Sequence, residues 1–111
     1  MQFSLSEDKS GYSVVADYLI NQVDGIVAQK IAEKLELFEK YPLEHLLRAE
    51  HLKKLDHEIY EVRIRIDKKC YRLLGATRGS TLEIVHIFYK KTQKTPKREI
   101  QITKERLKKL N

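Results

Sequence analysis

The chain has 111 residues, 41% of them apolar and 34% charged, with a formal net charge of +6; this describes one soluble domain (1–111) with enough chain for a real core. No apolar run approaches the roughly 20 residues a membrane span needs, and the polar, acidic start MQFSLSEDKSGY is no secretory signal. A single cysteine, Cys70, excludes an internal disulfide and a cysteine-rich metal site, and points to a reducing, cytoplasmic setting.

Charge is unevenly placed. Residues 1–62 hold 7 Lys/Arg and 12 Asp/Glu, a net of −5, while residues 63–111 hold 15 and 4, a net of +11. Such a split marks a surface that meets a polyanion, most often nucleic acid. A solvated, lysine-rich C-terminal helix is the plain alternative for Lys104–Lys109.

In chain order, Gln2–Leu5 suits a short first strand. Val14, Val15, Tyr18 and Leu19 recur at helical spacing and predict a short helix to about Asn21. Asp24 is a good N-cap for a second helix, whose stripe of Val27, Ala28, Ile31, Ala32, Leu35 and Phe38 runs to about Tyr41, before Pro42. Leu43, Leu46 and Leu47 allow one more helical turn before an irregular segment to Lys54. From Glu58 the period becomes two: Tyr60, Val62, Ile64 and Ile66 alternate with Glu61, Arg63 and Arg65. Asp67-Lys68-Lys69 makes a hairpin turn, Cys70–Ala76 and Leu82–Tyr89 follow as strands, and Arg78-Gly79-Ser80 is the turn between them. Thr95 and Pro96 suit the N-cap and first position of a last helix, Pro96–Leu110. The predicted class is α+β: a small antiparallel sheet with an N-terminal helical hairpin on one face and a C-terminal helix.

The chemistry concentrates late in the chain. Between Lys90 and Glu99 stand Lys90, Lys91, Lys94, Lys97 and Arg98 against one acid, and the N–H groups of the last helix's first turn beside them would suit phosphate. Arg63 and Arg65 share one side of their strand, and Arg72 sits mid-strand on the neighbour. Guanidiniums grouped on a sheet face suit phosphate oxygens; equally, they suit ladder ion pairs with Glu58, Glu61 and Glu83. His86, in an apolar strand, is either a proton-transfer group or a satisfied core residue. His45, His51 and His57 have no ligand spacing, so no metal and no cofactor is expected. Cys70 suits a small buried hydrophobe, and Tyr60, Tyr71 and Tyr89 suit either base stacking or the core. The acids within the strands, Glu61 and Glu83, are too few for a paired-carboxylate hydrolase, and the scattered glycines make no phosphate loop.

Ile59-Tyr60-Glu61-Val62-Arg63, Tyr71-Arg72-Leu73-Leu74 and above all the string from His86 through Phe88, Lys90, Lys91, Thr92, Gln93, Lys94 and Thr95 to Pro96, followed by Arg98-Glu99-Ile100, resemble the HigB-type, phage-associated branch of the RelE/ParE toxin superfamily. The first half of the chain matches by pattern, the second half in residues. The resemblance implies a RelE-like fold with a basic concave face opposite the helical hairpin. It implies a toxin that cleaves mRNA on the translating ribosome without metal. It also implies a helix-turn-helix (HigA-like) antitoxin, a toxin–antitoxin hetero-oligomer that represses its operon, and no membrane partner.

In such cleavage the ribose 2′-OH attacks the adjacent phosphorus, which calls for proton removal, charge neutralisation and protonation of the 5′ oxygen. The residues expected to act are Arg63 and Arg72 on the phosphorane, Lys90 adding charge, and His86 moving a proton, with Lys54 a second candidate for that role. Lys54, Arg65, Lys68, Lys69, Lys91, Lys94, Lys97 and Arg98 are expected along the RNA. Two other readings share the scaffold: a ParE-like gyrase poison and a non-catalytic nucleic-acid-binding module.

Overall fold

The computed structural model describes residues 1–90 and 94–110. In chain order it runs β1 (Gln2–Leu5), α1 (Val14–Asn21), α2 (Gly25–Phe38), α3 (Leu43–Arg48), β2 (Leu52–Asp56), β3 (Ile59–Ile66), β4 (Lys69–Arg78), β5 (Thr81–Lys90) and α4 (Lys97–Lys108). The helix starts have local causes. Ser13 Oγ accepts from the Ala16 N–H at 3.1 Å to open α1, and Asp24 Oδ1 accepts from the Ile26 N–H at 2.7 Å to open α2. The second helix stops at Phe38, short of the expected Tyr41, and its end is tied to β1. There the Glu39 carboxylate accepts from the Phe3 N–H at 2.8 Å, and the N-terminal ammonium donates to the Glu39 and Tyr41 carbonyls.

The predicted antiparallel meander β3–β4–β5 is present, and the class is α+β as expected, but the sheet as a whole is mixed. Its order is β1-β5-β4-β3-β2, with β1 parallel to β5 at one edge and β2 antiparallel to β3 at the other. The segment expected to be irregular up to Lys54 ends in the first half of β2. The β2 sequence, Leu-Lys-Lys-Leu-Asp, spaces its leucines by three, so the strand carries no alternation to read.

Parity assigns the two faces. Val62, Ile64, Leu73, Leu82, Ile84 and Ile87 form the core with Val15 of α1 and Ile31 and Phe38 of α2. Glu61, Arg63, Arg72 and Leu74 point to the other side, where α4 packs. The sheet's phase depends on an irregularity between Leu74 and Gly75: Leu74 opposes His86 while Gly75 opposes Ile84, so Val85 is the extra residue. Strict alternation would put His86 beside Ile84 on the core side. The bulge turns it to the face of the arginines.

Gly75 makes that bulge sterically feasible. A Cβ there would lie 1.8 Å from the Glu83 carbonyl oxygen, a backbone atom that cannot step aside. Gly75→Ala is therefore expected to cost on the order of 3 kcal/mol through forced backbone movement. In a chain of this size that lowers Tm by roughly 10 °C or more, measured by thermal unfolding; an unchanged Tm would contradict the packing described.

Candidate functional site

On the α4 face the register sets out three rows across β3, β4 and β5: Glu61–Leu74–His86, then Arg63–Arg72–Phe88, then Arg65–Cys70–Lys90. Arg63 donates its main-chain N–H outward to the His51 carbonyl, away from β4. Arg63 and Arg72 are thus a non-hydrogen-bonded pair, the closer kind, at about 4.5 Å between Cα atoms. Like charges directly opposite one another destabilise a sheet, so this pair needs a compensating anion.

The protein supplies one anion itself. Glu61 is fully buried (0% exposed) and its carboxylate accepts from Arg63 Nε at 2.8 Å, with Arg72 Nη1 at 3.6 Å. Thr95 completes the cluster: its hydroxyl donates to Glu61 and accepts from Arg72 Nη1 at 3.1 Å. Thr95 was expected to cap α4 but does not. Pro96 holds the N-cap position, no side chain caps the helix, and the Thr95 hydroxyl is spent on the sheet. The ion-pair reading of the arginines is therefore met through Glu61. Arg63 and Arg72 share the one Glu61 carboxylate, and Arg63 remains partly exposed, its side chain 24% accessible. Arg63, Arg65, Arg72 and His51 line a groove of about 370 Å³ that also includes Lys34 of α2.

His86 is 8% exposed and is held from both sides by α4. Its Nε2 lies 2.7 Å from Glu99 Oε1 and its Nδ1 lies 2.9 Å from Arg106 Nη1. A guanidinium only donates, so Nδ1 is the acceptor and Nε2 carries the proton given to Glu99. Burial pushes the imidazole below its ordinary value, Glu99 pulls it up, and Arg106 pushes it down again. The net effect is a neutral ring.

This state has a consequence for acid stability. A histidine whose folded pKa is depressed binds fewer protons than the unfolded chain, so its contribution is complete above its ordinary pKa of about 6.5 and is lost as pH falls through the folded value. Thermal unfolding between pH 7.5 and 5 should show Tm falling on the acid side, and falling less in His86→Gln. Parallel curves for the two proteins would contradict the assigned state.

The other expected residues scatter. Lys54 opposes Tyr60 and so lies on the helical-hairpin side, whereas Lys53 opposes Glu61 and shares the arginine face. Lys68 and Lys69 are exposed at the β3–β4 turn, and Lys69 covers the ring of Tyr89 at 4.8 Å. Lys94, Lys97 and Arg98 are exposed at the start of α4; Glu99 in that same first turn is buried against His86 and Arg98. Register puts Lys90 opposite Cys70, at the groove end of the face. Lys91 and the Lys90 side chain lie outside the described residues. Tyr60, Tyr71 and Tyr89 belong to the hairpin face; Tyr71 is buried, Tyr60 packs on the core and Tyr89 is 45% exposed. The aromatic ring on the arginine face is Phe88, stacked on His86. The face opposite the hairpin is thus not open throughout: α4 covers its His86 end and leaves the Arg63–Arg65 end accessible.

Among the described residues no cluster of His, Cys, Asp and Glu is arranged to hold a metal ion, and no helix is long and apolar enough to cross a membrane. Residues 19–108 match the family model described as phage-derived protein Gp49-like (DUF891). No curated protein and no solved structure matches the chain.

Proposed function

Because the chain belongs to the Gp49-like family of phage-derived proteins, a RelE/HigB-like toxin family, we propose that it is the toxin of a type II toxin–antitoxin pair and an endoribonuclease acting on mRNA at the translating ribosome. The observation that supports this most is the opposed Arg63–Arg72 pair at the back of a cation-lined groove. A sheet tolerates such a pair where a second anion completes it, and a phosphodiester is that anion.

In the proposed reaction the 2′-oxygen bonds to the adjacent phosphorus and the bond to the 5′-oxygen breaks, giving a 2′,3′-cyclic phosphate and a 5′-hydroxyl. Arg63 and Arg72 neutralise the phosphorane, and Lys90 or Lys91 is proposed to add charge to it. Proton transfer by His86 requires the ring to exchange Arg106 or Glu99 for substrate, so it is coupled to the position of α4. The proposed partners are mRNA, the ribosome and a helix-turn-helix antitoxin that holds the toxin inactive.

Induction of the chain alone in bacteria, with mapping of mRNA 5′ ends, tests the reading. New ends inside coding regions, absent with Arg72→Ala, are the expected result. Growth arrest with intact mRNA and broken DNA would overturn it in favour of a gyrase poison.

A further inference from the structure

At one edge of the sheet the strands are unequal. The pairing of β2 with β3 begins at Leu52 opposite Val62, so the rest of β3, from Arg63 to Ile66, has no strand on its outer side. Arg63 sends its N–H outward to the His51 carbonyl. By the two-residue repeat of a strand the N–H of Arg65 points outward as well, into the notch left where β2 is missing.

The notch carries cations on both walls, with Glu33, Glu50 and Asp67 also among its lining residues. Two adjoining hollows of about 370 and 380 Å³ meet there and share Lys34 of α2 and Arg65 of β3 as lining residues. Lys30, one helical turn before Lys34, continues the line along α2. Among the described residues Lys30, Lys34 and Arg65 form no ion pair, unlike Arg63 and Arg72, which have Glu61. The groove thus runs from the arginine pair around the sheet edge to α2, and although Glu33, Glu50 and Asp67 also line it, none of them closes an ion pair with Lys30, Lys34 or Arg65.

We propose that this notch is a second phosphate subsite, which takes the backbone of single-stranded RNA as it leaves the Arg63–Arg72 pair. The Arg65 main-chain N–H and the side chains of Arg65 and Lys34 contact one phosphate, and Lys30 contacts the next. A positively charged groove that tracks a backbone without reading bases is the usual way single strands are held. The inference rests on the RNA reading above and extends the RNA path from Arg65 along α2, through Lys34 and Lys30.

The test compares Lys30→Glu/Lys34→Glu with Lys108→Glu/Lys109→Glu, which makes the same change in net charge on exposed positions of the other helix. Binding of a fluorescent single-stranded RNA oligonucleotide is followed by anisotropy across a salt series. The α2 variant should bind at least about tenfold more weakly at low salt and lose about 1.4 from the slope of log K against log salt, the share of two phosphates at about 0.7 each. The α4 variant should keep the wild-type slope. Equal losses in both variants, or an α2 variant that binds like wild type, would overturn the subsite while leaving the RNA reading intact. Preference of the wild type for duplex DNA of the same length would overturn the single-strand assignment. A wild type that binds neither would remove the RNA reading and this inference together.

Discussion

Arg72→Ala should lower the rate of the proposed mRNA cleavage by about 10²–10³-fold, the typical effect of deleting one donor that faces charge developing in a transition state. The loss should fall on kcat, because a phosphorane concentrates charge that the ground-state diester spreads out. Folding is affected less than the burial of Arg72, at 3% exposed, would suggest, since the carboxylate left behind still accepts from Arg63 Nε at 2.8 Å. Arg72→Lys should recover only part of the rate: it keeps the charge and loses the planar fork. Single-turnover cleavage by protein of verified circular dichroism measures this. Full activity in Arg72→Ala would remove the arginine pair from the chemistry.

The second large effect is on stability. Glu61→Ala takes away the fully buried carboxylate that Arg63, Arg72 and Thr95 all contact. Breaking a buried ion pair from one side costs about 3–5 kcal/mol, because the remaining charge stays in a medium that solvates it poorly. For a domain of this size that is a fall in Tm on the order of 15 °C. The penalty should shrink when the cation goes too: Glu61→Ala/Arg72→Ala should be less destabilised than the two single losses added together. Strict additivity by denaturant unfolding would show that Glu61 and Arg72 are not coupled and that the cluster does not hold the last loop to the sheet.

The sequence made the helical hairpin and the central meander legible because both rest on local periodicity. The Val27–Phe38 stripe and the Tyr60–Ile66 alternation each repeat over enough residues to fix a face. The same parity correctly put Arg63 and Arg65 together. What it could not supply was phase across an irregular position. His86 reaches the arginine face only because Val85 is an extra residue opposite the Leu74–Gly75 step, and a bulge leaves no mark in a hydrophobic pattern. Strand β2 was hidden for a related reason, being short and lysine-bearing beside a tight turn.

The polar clusters were out of reach for a different cause. Glu61 meets Thr95 across 34 positions of sequence, and His86 meets Glu99 and Arg106 across 13 and 20. Thr95 before Pro96 carries a strong local capping signal, and the tertiary bond to Glu61 overrode it. One hint was present in the sequence. Glu61 stands alone among cations on its strand face, and a lone acid in such a place has a charge to balance.

If the Arg63–Arg72 face serves cleavage by the ribose's own hydroxyl, the chemistry of the fragment ends will carry its signature. Purified chain is added to a translating system, and the new mRNA 3′ termini are examined for cyclic phosphate. Attack by the ribose hydroxyl should leave 2′,3′-cyclic phosphate ends with matching 5′-hydroxyls, and should give no cleavage where the ribose at the mapped position is 2′-deoxy. Fragments ending in 3′-hydroxyl and 5′-phosphate, or cleavage that proceeds at the deoxy position, would contradict it.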